Sequence, residues 1–256
     1  MYDFFLSHSK TIKESIAIPI AQYLSRIGFS TWIDRQIISV GDLIYDDIRK
    51  ALSEVKYGVA IIDSSYLRSD WTIQELNLLH EREIVEKKFL IIPIFVSIAK
   101  IDVYKVIPWL DGRAFEKVNN EYFNMSQNLG CFSRIIARFY SDNISINSLD
   151  TIIPILSKWQ FPCKNALIEL IKAKYYHSSD LRLAIIELCN IQGLIYAIYT
   201  NLGKESKNIQ TANYFSKLLQ DYCYNDSYTL DYNVYSSFYK SVLASATELI
   251  NTLNLL

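Results

Sequence analysis

A chain of 256 residues, half of them hydrophobic and 21% charged, can build one sizeable core or two smaller ones and is too apolar for bulk disorder. Its 26 basic and 27 acidic side chains leave a formal net charge of −1, without the basic excess of a broad nucleic-acid surface, so no nucleic-acid partner is expected. Cys131, Cys163, Cys189 and Cys223 form no C-x-x-C pair and lie at no ligand spacing from a histidine, which points to reduced thiols and to no metal site.

The N-terminus shows no secretory leader, because Asp3 and an apolar strand pattern come at once. The apolar run FLIIPIFVSIA at 89–99 is too short to cross a bilayer. The longer run at 181–202 carries Arg182, Glu187, Asn190 and Gln192 and reads as a buried helix. The expected location is therefore cytoplasmic, with no membrane partner.

In chain order, the first half alternates strand and helix. YDFFLS (2–7) is a strand, and residues 11–28 repeat with helical period through Ile16, Ile20, Tyr23, Leu24 and Ile27 to a stop at Gly28. FSTWI (29–33) is a second strand, and a polar loop leads into a helix over 43–55. YGVAIID (57–63) is apolar almost throughout, the mark of a strand buried on both faces. A loop, a helix over 72–87, a strand at 89–96, a short strand at 112–115 and a helix over 126–140 complete this half. Such alternation predicts a parallel sheet with helices on both faces, and a ligand site beyond the carboxyl ends of the strands.

After residue 143 the alternation stops. Helical patterns run over 148–159, 164–176, 180–200, 207–224 and 236–253, punctuated by Pro162 and Gly203. The last places Phe238, Val242, Ala246, Leu249, Ile250 and Leu253 on one stripe, expected to pack within its own domain rather than on a copy of itself. The predicted organisation is an α/β domain over 1–143 and an all-α domain over 144–256.

Four blocks, YDFFLSHSK, GFSTWIDRQIISVGD, IRKALSEVKYGVAIIDSSYLRSDW and DWTIQEL, together resemble the Toll/interleukin-1 receptor (TIR) domain family, bacterial NAD-consuming type. The resemblance covers residues 2–140 and implies a flavodoxin-like α/β fold with a central parallel sheet. The pattern departs in places: Asp70 stands where the family has a serine before the tryptophan, Thr72 where it has a cysteine, and the loop after the second strand keeps Gly41 but has no proline. Some TIR domains assemble with one another as adaptors, whereas others cleave NAD+ at the nicotinamide–ribose bond with a glutamate that matches Glu75. The resemblance implies a role in anti-phage immunity and activation by self-association as a homo-oligomer. The assembly loop would hold Asp34, Gln36, Gly41 and Asp42, and a protein or small-molecule trigger would act at the helical domain.

One carboxylate suffices for this chemistry. Glycoside hydrolysis generally needs an acid to protonate the leaving oxygen. Nicotinamide already carries a positive charge in NAD+ and leaves neutral, so the demand is for an anion beside the oxocarbenium-like ribose. NAD+ is then the substrate, with no cofactor required. With a helix starting near Thr72, Glu75 falls in its first turn, where the dipole favours the ionised form. Trp71 offers a flat wall to a nucleotide ring, and Ser7, His8 and Ser9 offer donors to ribose or phosphate; Trp32 and Arg35, leading into the assembly loop, complete the expected substrate-binding set, with Arg35 pairing with a phosphate or a neighbouring subunit.

Plainer readings stand beside these. A glutamate early in a helix complements the dipole without other duty, Trp71 can be packing, and His8 can simply bond its loop. Arg35 can be a solvated charge and Asp42 a helix cap. Three functions stay open on the sequence: an NAD+ glycohydrolase or cyclase, a non-catalytic TIR–TIR scaffold, and a sensor that binds NAD+ without cleaving it.

Overall fold

Five strands form one parallel sheet in the computed structural model, which describes residues 2–33, 49, 52–119, 121–173, 180–225 and 230–254. The strands are β1 (Tyr2–His8), β2 (Thr31–Ile33), β3 (Val55–Ile62), β4 (Ile91–Val96) and β5 (Glu116–Val118). Their order is β2-β1-β3-β4-β5, with every pair parallel. The chain runs from β1 to β2 on one side and then to β3 on the other, so the order reverses between β1 and β3. In open α/β sheets this is where ligands bind, outside the carboxyl ends. The inner strands are buried along nearly their whole length because helices cover both faces. At the opposite end of the sheet, Asp3 accepts hydrogen bonds from the Ser30 amide at 2.8 Å, the Ser30 hydroxyl at 2.7 Å and Lys56 Nζ at 3.1 Å.

The helix expected over 11–28 opens differently. A 3-10 turn (Lys10–Ile12) and a π turn (Lys13–Ala17) precede α1 (Ile18–Arg26). Pro19 has no amide proton to give to the carbonyl of Ser15, and that carbonyl accepts from the Phe123 amide at 2.8 Å instead. Gly28, expected as the stop, takes the left-handed φ of 90°. Most of the helix expected over 43–55 lies outside the described residues, and β3 begins at Val55, two residues before the predicted start. The short strand expected at 112–115 is a turn. Gly112 has φ 80° there, its amide donating to Asp111 Oδ1 at 2.9 Å, and pairing with β4 begins only at Glu116.

Helix α2 (Asp70–Glu86) follows β3, and α3 (Lys100–Val106), a seven-residue helix too short to show a period, follows β4. Side chains of α2 and the sheet share one core, with Phe5, Val55, Ala60, Ile62, Leu76, Leu79 and Phe95 inside it. Helix α2 packs tightly over Gly58 in β3: the space of its missing Cβ is filled by the side chain of Leu79, itself fully buried. Gly58→Ala is therefore expected to destabilise the protein by about 1–3 kcal/mol through overpacking, read as a lower urea midpoint at constant m.

The chain divides into two compact units, Met1–Asn124 and Met125–Leu256. The second is helical: α4 (Met125–Ser141), α5 (Ile153–Ser157), α6 (Lys164–Ala173), α7 (Leu181–Asn201), α8 (Lys207–Cys223) and α9 (Tyr232–Asn254). Helix α4, whose residues 126–140 were grouped above with the first half, packs on α9. The α9 stripe from Phe238 to Leu253 is buried inside this unit, as its spacing predicts. By length and composition α7 could cross a membrane, yet one face of it packs on α8 and α9, with Ile185, Leu188, Ile191, Ile195 and Ile198 buried inside the unit. None of the four cysteines is part of a disulfide. Burial pushes the Cys189 thiol up to about 12 and that of Cys223 up to about 11.

Candidate active site

Ser7 lies one residue before the end of β1, and β3 runs beside it, so the carboxyl ends of the two strands lie side by side. After β3 the chain turns sharply. Asp63 Oδ1 accepts from the Tyr66 amide at 2.8 Å, and a 3-10 turn (Tyr66–Arg68) follows. Ser69 then caps α2, its hydroxyl accepting from the Thr72 amide. Because that cap starts the helix at Asp70, two residues before the predicted start, Glu75 stands in the second turn. The helix dipole, strongest within one turn, therefore counts for less at Glu75 than the expected placement implied.

What holds Glu75 is a side chain from the neighbouring strand. Ser7 Oγ donates to Glu75 Oε2 at 2.6 Å, with Ser7 1% and Glu75 3% exposed. A contact this short is a strong hydrogen bond, and a buried carboxyl group needs such a partner for its oxygens. Behind Ser7, its Oγ lies 2.9 Å from the Tyr66 hydroxyl, which also donates to the Thr72 carbonyl at 3.1 Å. Burial first, and the charge of Glu75 second, push the Tyr66 phenol far above its ordinary range. It is therefore a permanent neutral donor.

The remaining residues named from the sequence sort by place. His8 ends β1, its Nδ1–H donating to the Ser9 carbonyl at 3.0 Å. Ser9 is buried, and its hydroxyl has no hydrogen-bond partner among the described residues. Trp71 is half-buried in the first turn of α2, four residues before Glu75. Trp32 packs against Phe5 with ring centroids 4.8 Å apart, on the flank of the core. Asp34, Arg35, Gln36, Gly41 and Asp42 lie outside the described residues. At the rim, Thr11 Oγ1 and the guanidinium of Arg68 both donate to Ser65 Oγ, tying the loops after β1 and β3 together. Tyr66 and Arg68 were not singled out by the sequence reading. The signal for Tyr66 was a lone aromatic in a polar turn, SSYLRS, right after a buried strand.

In the second unit, a cavity of about 600 Å³ lies where α7 meets α8, with Tyr196, Tyr199, Thr200, Lys204, Lys207 and Gln210 in its wall. That volume is in the range of small-molecule sites.

The first unit is a flavodoxin-like α/β domain with a buried, hydrogen-bonded glutamate at the switch point of its sheet. Residues 4–123 match the family model described as the TIR domain. NAD(+) hydrolase TcpC of Escherichia coli O6:H1 is 34% identical over 109 residues, which are 43% of this chain and 36% of that protein. The 2' cyclic ADP-D-ribose synthase AbTIR of Acinetobacter baumannii is 36% identical over 107 residues, 42% of this chain and 39% of the relative. The 2' cyclic ADP-D-ribose synthase BtTIR of Bacteroides thetaiotaomicron is 37% identical over 109 residues, 43% and 38% respectively. The matched stretch is thus less than two fifths of each of these relatives, and less than half of this chain.

Proposed function

We propose that the protein cleaves NAD+ at the nicotinamide–ribose bond, with Glu75 as the catalytic carboxylate. The observation that carries this reading is the buried Ser7–Glu75 hydrogen bond at the β1/β3 switch point, in a domain whose relatives are named NAD+ hydrolases and cyclic ADP-ribose synthases. In the reaction the bond from ribose C1′ to the pyridine nitrogen breaks, and its electron pair neutralises the ring. Glu75 stabilises the positive charge growing on the ribose. Water then captures C1′ and loses a proton, giving ADP-ribose, or a hydroxyl of the same molecule does so and closes a ring. Trp71 and the polar end of β1 (Ser7, His8, Ser9) would receive the nucleotide, with Trp32 and Arg35 beside them. No further cofactor is needed, because the leaving group carries its own activation.

The same reading places the protein in the cytoplasm, in anti-phage immunity, and active as a homo-oligomer assembled through its TIR domains by the loop of Asp34, Gln36, Gly41 and Asp42. The helical unit would receive the trigger, and its cavity favours a small molecule over a protein. Incubating the concentrated chain with NAD+ and separating the products by chromatography tests the central claim. Free nicotinamide with an equal amount of linear or cyclic ADP-ribose is the expected result, and intact NAD+ at every protein concentration would refute it.

A further inference from the structure

Tyr66 has no exposed surface, and a phenylalanine would fill its place in the core equally well. A hydroxyl there costs stability unless it is hydrogen-bonded. It is held from both ends of its turn: the amide donates to Asp63, and the Tyr66 carbonyl accepts from Thr72 Oγ1 at 2.6 Å. That rigid turn sets the phenol oxygen 2.9 Å from Ser7 Oγ and 3.1 Å from the Thr72 carbonyl, while Ser7 Oγ reaches Glu75 Oε2 at 2.6 Å. Glu75, Ser7, Tyr66 and Thr72 thus form a line with three polar contacts.

Each hydroxyl has one proton to give. With Glu75 ionised, Ser7 donates to the carboxylate, and Tyr66 can serve Ser7 or Thr72 but not both. Two protons then cover three contacts. With Oε2 protonated, the carboxyl donates to Ser7, Ser7 to Tyr66, and Tyr66 to the Thr72 carbonyl, so all three contacts are hydrogen bonds running one way. The line is complete only when the glutamate carries a proton. We propose, resting on the reading of Glu75 as the catalytic carboxylate, that Tyr66 is a positioning residue which acts through Ser7 to set both the place and the protonation of that carboxyl. Other titratable groups around the line, among the described residues, are His8 beside Ser7 on β1, Asp63 at the end of β3 and Asp70 in the first turn of α2.

The test uses the full chain with Tyr66→Phe, Ser7→Ala and the double variant. The Glu75 carboxyl carbon is titrated by 13C-NMR, identified by its absence in Glu75→Gln, and the pH profile of nicotinamide release is measured alongside. Tyr66→Phe removes one more hydrogen bond from the protonated line than from the ionised one. The midpoint is expected to fall by about half a pH unit to one unit, with the acid limb of kcat following it. At the optimum kcat drops about tenfold with KM nearly unchanged, since only the placement of the carboxylate has loosened. In the Ser7→Ala background the tyrosine change moves nothing further, because the relay is already cut. In the wild-type chain the Tyr66 Cζ resonance follows the Glu75 midpoint and stops doing so in Ser7→Ala, a reading that needs no folded Phe variant. A midpoint that stays or rises in Tyr66→Phe, an equal shift with and without Ser7, or a Tyr66 resonance indifferent to Glu75 would overturn the proposal. If wild-type protein releases no nicotinamide, the enzymatic reading fails, while the NMR midpoints still decide the role of Tyr66.

Discussion

Glu75→Gln is expected to cut nicotinamide release by about a hundred- to a thousand-fold or more, with folding and self-association unchanged. Glutamine keeps the length and shape of the side chain, and Ser7 Oγ can still donate to its amide oxygen at the position of Oε2. What disappears is the negative charge facing the ribose as the glycosidic bond opens. Glycosidases with a poor leaving group divide the work between two carboxyls, so losing one leaves the other in place. In the proposed reaction nicotinamide leaves without protonation, and the whole electrostatic stabilisation would rest on one residue. At a buried carboxylate that stabilisation is worth far more than in bulk solvent. Rates from chromatography, with circular dichroism and size-exclusion profiles of both proteins, check the prediction. If both forms assemble and support the same cellular function, the domain is a scaffold rather than an enzyme.

A second large effect is expected eight residues along the same helix, at the other end of the sheet. Glu83 is 5% exposed. Its Oε1 accepts from the amides of Leu90 and Ile91 at 2.7 and 2.8 Å and from Arg113 at 2.9 Å, and its Oε2 from Arg113 at 2.6 Å. The guanidinium of Arg113 also lies 5.1 Å from the ring centre of Trp109, against which His80 stacks at 3.9 Å. One carboxylate thereby ties the end of α2, the start of β4 and the segment entering β5. Glu83→Gln turns an amide N–H₂ toward donors and leaves Arg113 without its anion. The expected loss is about 3–5 kcal/mol, read from urea or thermal unfolding.

The acid response follows from the same contacts. Burial alone would push the Glu83 carboxyl up, but the Arg113 hydrogen bonds, the Ile91 amide, the Arg113 charge and His80 outweigh it and hold it below its ordinary value of 4.5. A carboxyl depressed by folding adds stability that is present above its unfolded value and is lost as pH falls through the folded one. Wild-type stability should therefore decline below about pH 4.5 by an amount that Glu83→Gln lacks.

The two glutamates show how far a sequence reading reaches. Glu75 and Glu83 look alike in DWTIQELNLLHERE, as acids on a helix of mixed polarity. Glu75 was distinguished by the tryptophan before it and by the family resemblance, whereas nothing local marked Glu83. Its importance lies in Arg113, 30 residues away. The sites of several turns were equally illegible. Pro19 was visible, but the consequence that Phe123 would take over the orphaned Ser15 carbonyl depends on a residue over a hundred positions later. The strand expected at 112–115 slipped to 116–118 because Asp111 and Gly112 form a turn, and only the register with β4 says where pairing starts.

Periodicity, apolar runs and turn residues act between near neighbours, so the sequence by itself determined the alternation of strands and helices in the first half, the run of helices in the second, and the presence of Glu75 on the helix after β3. The folded chain decided everything that requires distant residues to meet. Ser7 and Glu75 are 68 positions apart, and Ser7 and Tyr66 are 59 apart. They touch only because β1 and β3 are neighbours in the sheet and α2 packs back across them. Strand order and register are properties of the whole core, and no local pattern encodes them.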